Sequence, residues 1–280
     1  MSRKSAQRTA LTSARVVTLI VGAVVMITPF LYMLSTSFKP QAYVLTTPPQ
    51  FIPNPFTCDN YVQAWTSQDF SRYALNSVIV AVVSTALSVL ISSMMAFAFT
   101  RFEFRGREII FRVMLIGLMV PAMMLIIPQF VLAKYFGLLD SLAGLIVFYV
   151  AGSLALNVFL LRGFFAAIPG ELDQAMQVDG ANAWTRYWRL AIPLARTALA
   201  TATIFTFLAC WDEFAWALTI INSPENRTLP IAIQLFQGQN ATQWGLVFAA
   251  SVIAVIPVIV VYLIFQRHFV QGLTSGAVKG

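Results

Sequence analysis

Within residues 1–161 this chain has four stretches of more than twenty residues without a single charge. They are Val16–Phe38 (23 residues), Tyr73–Thr100 (28), Val113–Ala133 (21) and Ser141–Leu161 (21). A helix needs about 20 apolar residues to cross roughly 30 Å of hydrocarbon, so each run is long enough to span a bilayer. A fifth stretch, Thr197–Ile221, is broken only by Asp212 and Glu213, and Gly245–Gln266 makes a sixth. Composition points the same way: 59% of the 280 residues are hydrophobic and 10% are charged, against about 25% charged in a soluble domain. Backbone groups in hydrocarbon must bond to one another, which makes these segments helices. The expected fold is an all-α integral membrane protein with six transmembrane helices. Residues 16–266 would form the membrane domain, between an N-terminal tail (1–15) and a C-terminal tail (267–280).

The basic residues orient the spans. With the N-terminus in the cytoplasm, the inner segments carry 14 of the 18 Lys and Arg residues, and only Lys39, Arg72, Lys134 and Arg227 fall outside. The positive-inside bias therefore places both termini in the cytoplasm of a multi-pass cell-membrane protein. The net charge of +7 sits at helix ends and not in one stripe, so no nucleic-acid partner is implied; the partner is the lipid bilayer. The first apolar run exceeds the 7–15 residues of a signal-peptide core and is read as a retained helix. Cys58 and Cys210 do not form a disulfide framework.

Pro29, Pro121, Pro128 and Pro257 fall inside the spans. Each removes a backbone hydrogen bond and is expected to kink its helix. Pro121 and Pro128 share a span with Gln129, which suggests an element lining a pathway. The first outer loop, from Lys39 to Arg72, is proline-rich in its first half and is expected to be extended.

The connection 162–196 carries the strongest local pattern. Pro169 starts a short helix, with Glu171 and Asp173 placing negative charge at its N-terminal end. Leu172, Ala175 and Met176 fall on one face, and Gly180 is placed to end the helix in a left-handed conformation. Asn182 can cap a second helix carrying Trp184, Tyr187 and Trp188, aromatics that suit the headgroup zone, with Arg186 and Arg189 facing the anionic inner leaflet. Periodicity alone leaves two readings open: a knob for a partner's groove, or a helix lying on the bilayer.

This segment resembles the signature loop of ABC-importer permeases, Glu-Ala-Ala, three residues, Gly, nine residues, Ile-x-Leu-Pro. The counterparts are Gln174-Ala175-Met176, Gly180 and Leu190-Ala191-Ile192-Pro193, with Asp179 before the glycine. Gln and Met replace the usual Glu and second Ala, and Glu171 and Asp173 are nearby acids. Tyr73-x-x-Asn76-Ser77 and Ala96-Phe97-Ala98-Phe99-x-Arg101-Phe102 resemble segments of sugar permeases. The tail Gly272–Gly280 is similar to that of the second permease of maltose-type transporters. The resemblance implies the type I ABC-importer permease fold, paired with a second homologous permease subunit, two ATPase subunits and an extracytoplasmic solute-binding protein. It implies that the loop helix docks on an ATPase and that the tail, through Gly272, Gly276 and Lys279, reaches between the ATPase subunits.

No phosphate-binding Gly-x-x-x-x-Gly-Lys-Ser/Thr loop occurs, so this chain is expected to bind no cofactor of its own, with ATP and Mg on the partner ATPase subunits. No zinc or serine-nucleophile motif is present either, and the chain is read as a non-catalytic translocation subunit. The rival class is an ion-coupled secondary transporter, which would also use buried carboxylates. A carboxylate at mid-membrane costs about 2.5–3.5 kcal/mol on an insertion scale, so Asp212 and Glu213 should face the bundle interior or water. Successive residues diverge by about 100° on a helix, so the two should not share a partner. Trp211 and Phe214 flank them as surfaces for sugar faces. Gln129 and Asn157 are further candidates for the solute pathway, or for bonds between helices.

Overall fold

A computed structural model describes residues 2–67, 69–238 and 242–277, with side chains between residues 12 and 266. Among the described residues the regular elements are all helices, joined by turns and irregular loops, apart from an isolated bridge between Gln237 and Thr242. The helices are α1 (Ser2–Ser37), α2 (Asp59–Thr66), α3 (Phe70–Arg101), α4 (Arg107–Gly117), α5 (Ile126–Tyr135), α6 (Leu142–Ala166), α7 (Gly170–Val178), α8 (Ala183–Arg186), α9 (Ile192–Leu194), α10 (Arg196–Trp211), α11 (Ala215–Ile220), α12 (Leu229–Leu235) and α13 (Trp244–Ala277). Four continuous segments are long and apolar enough to cross a membrane: Thr12–Ser37, Phe70–Arg101, Leu142–Ala166 and Trp244–Gln266. Two bent pairs bring the number to six, with bends of 97° between Arg107–Gly117 and Ala122–Tyr135 and of 79° between Ala183–Leu194 and Arg196–Trp211.

Of the four prolines expected to kink their spans, one stands at a break. Pro121 stands at the first bend, where a 3-10 turn (Ala122–Leu125) follows it. Pro128 instead occupies the first turn of α5, where its missing N–H costs no intrahelical bond. Pro29 and Pro257 lie within the unbroken α1 and α13.

The chain divides into two units. The first comprises residues 1–68 and 233–255. Within it Lys39, counted in the sequence among the outer-side charges, is fully buried. Its Nζ donates to the Gln50 carbonyl and to Thr36 Oγ1 at 3.4 Å, and lies 4.8 Å from the Tyr32 ring centroid. Asn60 Nδ2 donates to the carbonyls of Ser37 and Lys39, both at 2.8 Å, which closes the turn after α1.

The second unit comprises residues 69–232 and 256–280, and is organised around α3 packed on α6 and α10. Buried Ser77, Ala81, Ser84, Ser88, Ser92 and Ala96 recur every three or four residues along α3. Small side chains let helix backbones approach closely where lipid supplies no hydrophobic drive, and Ser153 Oγ of α6 donates to Ser88 Oγ at 2.7 Å. Below this stripe Phe97, Phe99, Val158, Leu161, Phe165 and Tyr187 form a buried cluster. Arg101 Nη2 then donates to the carbonyls of Phe165 and Ile168, at 3.1 and 3.0 Å. This satisfies carbonyls that the end of α6 leaves open and fixes where α7 begins.

Candidate functional site

Three of the six pathway candidates meet at a cavity of about 400 Å³ in the second unit, lined by α5, α6, α10 and the turns after Gly117 and Trp211. Gln129, Asn157 and Glu213 line it, and so do Tyr149, Ser153 and Thr206. Phe148, Trp216, Phe205 and Leu156 give it an apolar wall. Asn157 is buried and donates through Nδ2 to Thr206 Oγ1 at 2.9 Å, so it both bonds two helices and borders the cavity.

The acid pair lies where the fifth apolar run breaks. Helix α10 ends at Trp211, and Phe214 (φ −120°, ψ −43°) stands before α11. The expectation that Asp212 and Glu213 lie within one continuous helix is therefore corrected, although their fates do differ. Glu213 accepts from the backbone N–H groups of Trp216 at 2.8 Å and Ala217 at 3.0 Å, and from the Tyr149 hydroxyl at 2.6 Å. Its carboxylate thus occupies the positive end of α11 and joins that end to α6. The side chain of Asp212 is exposed, and no hydrogen bond or ion pair holds it among the described residues. Trp211 is buried, and Phe214 packs beside the cluster containing Trp216, Ala217 and Ile220. Neither Trp211, Asp212 nor Phe214 lines the cavity.

On the 162–196 connection, α7 ends as the spacing predicts. Gly180 has φ +79°; its N–H bonds the Gln177 carbonyl at 3.0 Å and the Ala181 N–H bonds Met176 at 2.8 Å. This pair of bonds is the Schellman motif. Asn182 Oδ1 accepts from the Thr185 N–H at 2.8 Å and caps α8. A π-helical segment, Tyr187–Ala191, continues towards α9.

The structure shows which side of α7 packs within the chain. Asp173 is buried and Met176 half-buried, whereas Glu171, Leu172, Gln174, Ala175, Val178 and Asp179 are exposed. Leu172 is 44% exposed and Val178 88%, so α7 presents apolar groups outward. Asp173 cannot substitute for the signature glutamate, because Arg186 Nη1 meets its Oδ2 at 2.6 Å and Gln177 Nε2 donates to the same oxygen at 3.1 Å. Arg186 and Tyr187 are buried as well, and the Tyr187 hydroxyl meets Ser93 Oγ at 2.7 Å. Neither faces the headgroups; Trp184, Trp188 and Arg189 remain exposed. Sequence reasoning missed Tyr149, Ser153, Thr206 and the role of Arg186. The signal for the first three was a hydroxyl within an otherwise apolar span. Of the tail candidates, Gly272 and Gly276 fall on α13, and Lys279 lies outside the described residues.

Residues 88–275 match the model of the family described as binding-protein-dependent transport system inner membrane component. The chain is 35% identical over 263 residues to the diacetylchitobiose uptake system permease of Streptomyces coelicolor, covering 93% of this chain and 87% of that protein. It is 36% identical over 270 residues to the trehalose/maltose transport system permease of Thermococcus litoralis, covering 94% and 96%. A crystal structure of a bacterial ABC transporter involved in the import of the acidic polysaccharide alginate contains a similar chain. That likeness has a TM-score of 0.79 at 26% identity and covers 96% of this chain and 99% of that one.

Proposed function

Because the chain belongs to the family of binding-protein-dependent transport system inner membrane components, we propose that it is the permease subunit of a carbohydrate ABC importer. The solute is a sugar or oligosaccharide, as the names of its relatives suggest. The chain is a non-catalytic membrane component. It works with a second, similar permease, two ATPase subunits that bind ATP and Mg, and an extracytoplasmic binding protein that delivers the solute. The excess of Lys and Arg on one side supports both termini lying in the cytoplasm, where the tail after Gln266 can reach the ATPase subunits.

The observation that carries this reading is the geometry of α7. A nine-residue helix, closed by a left-handed glycine, turns Leu172, Ala175 and Val178 outward while its opposite side is tied down through Asp173. An interfacial helix and a docking helix both expose apolar groups, but a Schellman turn and a buried ion pair fix the direction in which these point. Such a helix can pass movement of an ATPase to the spans. The cavity suits a neutral, hydroxyl-rich solute: Gln129, Ser153, Asn157 and Tyr149 supply donors and acceptors beside the Phe148 and Trp216 rings.

The test is purification of the tagged chain from its own membranes, followed by reconstitution. The chain should bring a second permease and an ATPase with it. Uptake of labelled oligosaccharide into proteoliposomes should need both ATP and the binding protein. Uptake that persists without the ATPase and follows an ion gradient would establish the secondary-transporter reading instead.

A further inference from the structure

We infer that the buried Asp173–Arg186 ion pair is the positioning strut of the loop helix: it fixes the angle at which α7 is held against the segment leading into the fifth span, and transport depends on it for coupling. The inference rests on α7 being the ATPase-docking helix, as proposed above.

Three observations carry it. The pair is buried on both sides, with Asp173 5% and Arg186 8% exposed, in a connection whose other charged side chains are largely exposed. A charge is desolvated at such cost that a buried pair needs a reason beyond stability. The pair also spans the Gly180 turn. Asp173 lies in α7 and Arg186 at the end of α8, thirteen residues on, with no other salt bridge joining the two helices among the described residues. Finally, Arg186 is followed directly by the π segment Tyr187–Ala191, whose first residue is buried against α3 and bonded to Ser93. One side of the strut is therefore anchored in the membrane bundle and the other in the projecting helix.

The pair is also incomplete. Asp173 Oδ1 and Arg186 Nε are buried without hydrogen-bond partners, while Oδ2 accepts from both Arg186 and Gln177. A carboxylate and a guanidinium have a two-bond alternative, and here only one of those bonds is made. The strut therefore keeps one oxygen and one N–H free for a second bond. A load on α7 from a closing ATPase would be taken up along this contact.

The experiment compares Asp173→Asn, Arg186→Gln and Arg186→Lys in the complete reconstituted transporter. The readout is solute moved per ATP hydrolysed, normalised to assembled complex. Asp173→Asn keeps the shape of the side chain, and Arg186→Lys keeps the charge but loses the two-bond geometry. We expect solute moved per ATP to fall about tenfold in Asp173→Asn and Arg186→Gln, and less in Arg186→Lys. Hydrogen exchange of the amides of residues 170–182 in the complex should accelerate in the same order. That second measurement also decides the matter for any variant that assembles poorly. Lower abundance with an unchanged ratio and unchanged exchange would make the pair a purely structural contact and overturn the inference. Gly180→Val separates the two levels. If it leaves coupling intact, the docking-helix reading fails; if it uncouples while the Asp173 and Arg186 variants do not, only the strut fails.

Discussion

Asp212 and Glu213 are neighbours in sequence and opposites in structure. Glu213 caps two N–H groups of α11 and accepts from Tyr149, so Glu213→Ala removes a cap worth about 1 kcal/mol and strands a hydroxyl. Less assembled protein should then be found in membranes. Asp212 holds nothing, and Asp212→Asn should leave abundance unchanged. Quantifying the subunit in membranes for both variants checks this, and equal losses would contradict the assignment. Asp140 offers a pH test. It sits at φ +53°, and its carboxylate accepts from the backbone N–H groups of Asn222 and Ser223 and from the Ser223 hydroxyl. These bonds, led by the one from the Ser223 hydroxyl, hold its pKa below the usual carboxylate value. A depressed folded pKa contributes stability that is fully present above the unfolded pKa of about 3.9 and lost as pH falls through the folded value. Thermal melts of the purified protein should show a loss of stability below about pH 4 that Asp140→Asn lacks; matching acid limbs would rule the contact out as its cause. In the sequence both acids of the pair read alike, as costly charges and as candidates for the solute pathway. What separated them was a break in the helix, which the side chains themselves do not announce.

At the scale of elements the loop helix is the sharpest case. Gly180 has no atom within 4 Å of where a Cβ would stand, so a substitution there meets backbone strain and not crowding. The left-handed conformation costs an ordinary residue about 1–2 kcal/mol, and asparagine less. Coupled transport should therefore fall in the order Gly, Asn, Ala, Val when solute per ATP is measured, and an order that follows side-chain size alone would point to sterics. This turn was legible because a helix end followed by glycine has one dominant solution. The existence of α7, the Asn182 cap and the apolar runs was legible for similar reasons, since each follows from short-range chemistry. The packed face of α7 was not. Leu172, Ala175 and Met176 form an apolar set by spacing, yet the inward position belongs to Asp173, because Arg186 waits there. A thirteen-residue separation across a turn leaves no periodic trace. The bends were equally hidden: four prolines gave the same signal, and only Pro121 stands at a break.

The molecule as a whole brings Gln129, Asn157 and Glu213 to one cavity in the second unit, and its loop helix belongs to the same unit. The bent third span belongs to that unit too. Its two arms, Arg107–Gly117 and Ile126–Tyr135, have 11 and 10 residues, or roughly 15 Å each, and neither reaches across hydrocarbon alone. The uncharged run Val113–Ala133, however, has the length of a straight span. Hydropathy alone would therefore suit an ordinary straight rod, and it is α6 and α11 that supply the surfaces against which the bent arms α4 and α5 pack. Length and angle thus have different sources in one segment: the uncharged run provides the first, and packing on neighbouring helices accompanies the second.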